Sequence, residues 1–259
     1  MELYLEERAY VKEIFLKILK ELSKKEYDMS IERLHEISQR QFNFSIISQQ
    51  QPDILNKFQL ITGNMEFQQV FPNDGCSHIL EYPPLYANNK FFSFIPIINF
   101  IRYPQENEFV SSIYHELSHL LSSSTWSVLS KQPLMIQHIS GVNIDNYDYS
   151  EGGIKKIDIQ SLTLMDEFLN DFIAMLLYQF IEEKSYFLHS LNPNKRKFFG
   201  FLREQIDKNN NGNYKNLIKK YFSNDIIGIE EILLQNSGAK NLNELENRFS
   251  NKNVNYERD

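Results

Sequence analysis

Between residues 161 and 184 the chain is apolar almost without a break, yet carboxylates sit inside the run. Leu164, Phe168, Phe172, Met175, Leu176 and Phe180 recur so densely that the segment reads as a helix buried over most of its surface. Glu167 and Asp171 lie four residues apart in it and so share one face. A carboxylate inside a core is costly unless something binds it. A cation would meet that need, so the fold must bring complementary groups to this face.

A second helix can supply them. Glu106, Asn107 and Glu108 put acidic residues in a first turn, where they complement the helix dipole. Val110, Ile113, Tyr114, Leu117, Leu120 and Leu121 follow at helical spacing, with no Gly or Pro across 106–123. This helix carries His115-Glu116-Leu117-Ser118-His119, an HExxH pattern. Histidines four apart stand about one turn, ~6 Å, apart on one face. Two such imidazoles can hold one Zn2+, while Glu116 is swung aside and can serve as a general base. By chance the pattern arises in roughly one chain in a hundred of this composition, so a third ligand must carry the argument. His35-Glu36-Ile37-Ser38-Gln39 shares its first two residues and ends in Gln, as an ordinary polar helix face would.

Catalytic zinc sites use three protein ligands and leave one position open. Of the other histidines, His35, His78, His138 and His189, none completes the extended HExxHxxGxxH pattern: Ser122 and Thr125 stand where Gly and His are required. The single Cys76 excludes a cysteine-based zinc finger. Glu167 is the best third ligand. Asp171, on the same face, is placed to accept a hydrogen bond from the outer ring nitrogen of a ligating His.

HExxH followed on a later helix by Glu-x-x-x-Asp resembles the gluzincins, the thermolysin-like branch of the zinc peptidases. The matching residues are His115, Glu116 and His119, then Glu167 and Asp171. The resemblance covers two helices and implies a zincin-like catalytic core. It implies one Zn2+ on His115, His119 and Glu167, and hydrolysis of a peptide or protein substrate through a metal-activated water. It departs at Asp166 and Asn170, where that family tends to have Asn and a small residue. Gluzincins use a His or Tyr to stabilise the oxyanion. The candidates here are His189, taken first, then Tyr186, Tyr147 and Tyr149. A weaker likeness is to small intracellular HExxH peptidases that cleave phage repressors. Asn170, Phe172, Ala174, Leu176 and Leu177 echo their later helix, with Phe168 at the position of their Glu. Two other readings are a non-enzymatic zincin-like binding module, its fourth position closed by His138 or a loop carboxylate, and a metal-free helical protein.

The 259 residues can bury a sizeable core and are short for two full domains. A net charge of −7, with no long basic patch interleaved with aromatics, argues against nucleic-acid binding. The basic run Lys195-Arg196-Lys197 reads as a solvated helix start. No apolar stretch approaches the ~18 residues of a membrane span. The start MELYLEERAY has no signal-peptide pattern, and one cysteine suits a reducing compartment, so a cytoplasmic location is expected.

The expected class is α+β and predominantly helical: one metallopeptidase domain over 1–259, with a small sheet. It comprises a helical N-terminal part (1–60), a catalytic core (61–185) and a helical C-terminal part (186–259). Helices are expected over 4–27, with an apolar stripe of Val11, Ile14, Phe15, Ile18, Leu19 and Leu22, and over 29–40. Residues 62–90 carry turn signals and short strands. The clearest strand is 91–102, and Pro96 within it points to a sheet edge, where an extended peptide could add as a further strand. Residues 139–158 read as a loop or hairpin between the two site helices. Helices follow over 161–184, 194–207, 214–222, 226–235 and 241–249. Asp207 to Gly212 imitates a calcium loop, but Ile218 stands where a bidentate Glu is needed, so it reads as a connector.

Overall fold

The stripe on the first helix dictates where the N-terminus lies. In a computed structural model, which describes residues 2–48, 78–80, 83–87, 90–92, 95–102, 106–124, 126–150, 153–160, 162–184, 193–209 and 211–250, helix α1 spans Glu2–Leu22. Val11, Ile14, Ile18 and Leu22 of that stripe are fully buried, while Phe15 and Leu19 pack at its margin. Each fully buried side chain of this size contributes roughly 1.5–3 kcal/mol. A short 3-10 turn, Lys25–Tyr27, ends the segment. Helix α2, Ile31–Ser38, begins where the Ser30 side chain accepts the Arg33 N–H, an N-cap.

Strands then build a first sheet in the order β1-β5-β2. β1 (Asn43–Ser48) runs parallel to β5 (Ile97–Arg102), and β2 (His78–Leu80) runs antiparallel to it on the other side. Two expectations are corrected here. The N-terminal part is not all helical, since β1 lies within 1–60. The apolar run 91–102 is not one edge strand. Its first residues end β4 (Lys90–Phe92), which pairs with β3 (Leu85–Ala87), and β5 begins only after Pro96. Pro96 has no N–H to give and sits before the strand. Its carbonyl accepts the Asn43 N–H at 2.9 Å, so β5 is free to occupy the centre of the sheet. Ile98 and Phe100 are fully buried there.

Helix α3, Glu106–Ser122, packs on β5 and against helix α4, Thr163–Glu182. Between them the chain forms a four-stranded antiparallel meander: β6 (Ser127–Lys131), β7 (Leu134–Ser140), β8 (Asn143–Ser150) and β9 (Gly153–Gln160). This is more sheet than the loop or hairpin expected over 139–158, and with it the described residues form three sheets rather than one small one. Four helices follow: α5 (Pro193–Asn209), α6 (Tyr214–Phe222), α7 (Ile226–Leu234) and α8 (Leu242–Phe249). Asn213, Asp225 and Asn241 cap the last three with their side chains. The architecture is thus mixed α+β, with helices in the majority. Among the described residues no helix is long and apolar enough to cross a membrane.

The C-terminal end of α3 is fixed by an arginine from α2. Arg33 is buried, and its Nη2 donates to the carbonyls of Leu121, Ser122 and Ser123 at 3.1–3.2 Å while Nε donates to Phe222 O. A cation here meets the unsatisfied carbonyls and the negative end of the helix dipole. The decoy pair on the same helix is ordinary surface: His35 is exposed, and Glu36 pairs with Arg33 and Arg40.

Candidate metal centre

α3 and α4 pack face to face, and their chemistry-bearing residues meet at the contact. His115 and His119 lie one turn apart on α3, with ring centroids 4.8 Å apart. Glu167 comes from the first turns of α4. Its Oε2 is 3.5 Å from His115 Nε2 and its Oε1 is 3.4 Å from His119 Nε2. One ligand atom from each of the three lies within 4.8 Å of the others, close enough to hold a metal ion. The Glu167 side chain is 48% exposed, so the group faces solvent on one side. His119 Nε2 is buried and forms no hydrogen bond among the described residues. A buried ring nitrogen without such a partner is an exception that calls for explanation, and a bound ion is one. Two imidazole nitrogens and a carboxylate oxygen are a donor set that suits zinc.

Each histidine has a carboxylate behind it. His115 Nδ1 is 2.7 Å from Asp171 Oδ1, the contact expected from spacing alone. Since a carboxylate only accepts, Nδ1 carries the proton and Nε2 turns toward Glu167. Burial opposes charge on His115, but Asp171, Glu167 and Glu116 outweigh it and raise its pKa well above the ordinary histidine value. Burial likewise works against charge on Asp171, and His115 and Lys195 overcome it, holding the carboxyl below its usual range. Lys195, from the start of α5, reaches Asp171 Oδ2.

His119 Nδ1 faces Asp166 Oδ2 at a looser 3.6 Å. Asp166 Oδ1 accepts the Val142 N–H at 3.0 Å and the Tyr221 hydroxyl at 3.4 Å. Burial pushes the Asp166 carboxyl up to about 6, against the pull of His119 and those two donors. The one Tyr221 proton is shared with Asn170 Oδ1, at 3.1 Å, and Asn170 Nδ2 donates to the His115 carbonyl at 3.0 Å. The turn that delivers Val142 depends on Gly141, whose φ is +56°. A Cβ there would stand 2.0 Å from Asp166 Oδ1 and 2.5 Å from the Tyr221 ring.

Glu116 is buried beside the group, its Oε1 4.0 Å from His115 Nε2. Burial raises its pKa; His115 and His119 pull it down, and Glu167 and Asp171 add to the rise. Burial also acts against charge on Glu167, but His115 and His119 hold it far below the usual carboxylate range.

Of the proposed oxyanion donors, His189 and Tyr186 lie outside the described residues. The Tyr149 hydroxyl donates to Pro84 O at 2.6 Å, which engages its one proton. Tyr147 packs edge-on against Trp126, and His138 stacks on the same indole at 4.5 Å between centroids. His138 is therefore not part of the three-residue group. Sequence reasoning missed Asp166, Asn170, Gly141, Tyr221 and Lys195. Asp166 is visible only as a departure from a family pattern, Asn170 as a departure from one pattern and an echo of another, and Lys195 only as one member of a basic run. Comparison with known protein families, with curated proteins and with solved structures found no match.

Proposed function

We propose that this protein is a zinc-dependent peptidase of the zincin type, gluzincin-like in its ligand set. The observation that supports it most is the convergence of His115 and His119 from α3 with Glu167 from α4, beside a buried Glu116. When bound, Zn2+ supplies Lewis acidity, which polarises a scissile carbonyl and brings the pKa of a water towards neutrality. His115 and His119 would hold it through Nε2 and Glu167 through its carboxylate. Asp171 keeps the His115 proton on Nδ1 and so leaves Nε2 with its lone pair inward. Glu116, its basicity raised by burial, accepts a proton from the attacking water and returns it to the leaving amine nitrogen. The half-exposed Glu167 side leaves an approach for an extended substrate. His189, Tyr186 or Tyr147 remains the proposed donor to the developing oxyanion, because the Tyr149 proton is already committed. A cytoplasmic location accords with this reading.

The test has two parts. Purified, untagged protein should carry about one equivalent of zinc by elemental analysis. Glu116→Gln should keep that zinc and lose peptidase activity by ~10²–10⁴-fold on a broad peptide library, the range typical of a lost acid–base group. Zinc-free wild-type protein, or a fully active Glu116→Gln, would falsify the proposal.

A further inference from the structure

Asp171, which holds His115, is itself contacted from a third helix. Its carboxylate is buried, with a side chain only 11% exposed, and one oxygen is spent on His115 Nδ1. The other faces the start of α5, where Lys195 Nζ meets it. The same ammonium lies 5.6 Å above the ring of Phe168, the residue after the ligand Glu167. One side chain therefore touches the support of one ligand and the neighbour of another. A charge-assisted contact fixes where the outer oxygen of Asp171 points, and a cation over an aromatic face is held in place by it.

We propose that Lys195 is a positioning residue of the metal centre, acting through Asp171 to fix the His115 ring in ligating orientation. The inference rests on the metal-binding reading above and extends it to a helix outside the two that carry the ligands. The chain Lys195 Nζ, Asp171 Oδ2, Asp171 Oδ1, His115 Nδ1 spans three helices, α5, α4 and α3. It makes the C-terminal helical part a component of the site rather than an appendage. Arg196 and Lys197, the other members of the basic run, are exposed.

The experiment is competition for Zn2+ against a chromophoric chelator, on the full chain at fixed pH. Lys195→Met keeps the stem over Phe168 and removes the charge. It should bind Zn2+ about 10-fold more weakly, the lower end of the loss seen when an outer partner of a ligand is removed. Lys195→Arg should restore binding, and Lys197→Met should match wild type. In the metal-free protein, the His115 Nδ1 proton should give a protected downfield resonance that Lys195→Met loses and Lys195→Arg keeps. Lys195→Gln serves should the Met variant not fold. Wild type that binds Zn2+ with Lys195→Met or Lys195→Gln binding as tightly overturns the positioning role alone. Wild type that binds no Zn2+ overturns the metal reading, and this inference with it.

Discussion

The two histidines of the centre are supported in opposite ways. Behind His115, Asp171 makes a 2.7 Å contact and is itself met by a cation, Lys195. Behind His119, Asp166 stands at 3.6 Å and is met by neutral donors, the Val142 N–H and the Tyr221 hydroxyl. The carboxyls respond accordingly: Asp171 is held below its usual range, and Asp166 is pushed up to about 6. A cation offsets the burial of a carboxylate more fully than neutral donors do. The His115 support is thus electrostatic and reaches partly exposed Lys195. The His119 support is steric and lies wholly inside the fold.

The steric side is the easier to break outright. Gly141→Ala places a methyl within 2.0 Å of Asp166 Oδ1 and 2.7 Å of the Tyr221 hydroxyl, in a backbone conformation that costs an L residue about 1 kcal/mol by itself. Tyr221 is fully buried and Asp166 nearly so, so neither can move aside cheaply. The expected loss is about 2–4 kcal/mol in unfolding free energy by denaturant titration. An unfolding midpoint equal to wild type would mean that the β7–β8 turn does not press on Asp166 in solution.

The electrostatic side should be more sensitive to loss of charge. Asp171→Asn keeps the shape but weakens the acceptor for His115 Nδ1, and Zn2+ affinity should fall ~10–100-fold. Asp166→Asn should cost less. Its side-chain oxygen can still accept from Val142 and Tyr221, and at 3.6 Å little is lost toward His119. Chelator competition on both variants ranks them. If Asp166→Asn is the weaker binder, the two supports are not the unlike pair that their geometry indicates.

This asymmetry marks how far the sequence could be read. His115, His119, Glu167 and Asp171 announce themselves because the spacing of four is a property of one helix, and α3 and α4 each obey it. The stripe of α1 and the helices after residue 193 are legible for the same reason. The partners that come from elsewhere are not. Val142 reaches Asp166 from a hairpin turn and Tyr221 reaches it from α6, while Lys195 reaches Asp171 from α5, at separations of 24, 55 and 24 residues. No periodicity connects them. Residues 139–158 read as a loop or hairpin, because their turn residues do not carry the register that pairs β6 to β9. Pro96 was misread because its effect depends on whether it falls inside the strand or just before it.

The hydroxyl of Tyr221 joins the two halves and gives the finest test of their independence. It is shared between Asn170 Oδ1 at 3.1 Å and Asp166 Oδ1 at 3.4 Å, and Asn170 in turn holds the His115 carbonyl. Tyr221→Phe removes one donor from a buried position without creating a cavity. Asp166 keeps the Val142 N–H, and a net hydrogen bond of this kind contributes about 1 kcal/mol. Stability should fall by about that amount, while Zn2+ affinity stays within a few-fold of wild type. A variant that kept its stability but lost metal would reverse the assignment. The hydroxyl would then act on the orientation of His115 through Asn170, and the two supports would be one network rather than two.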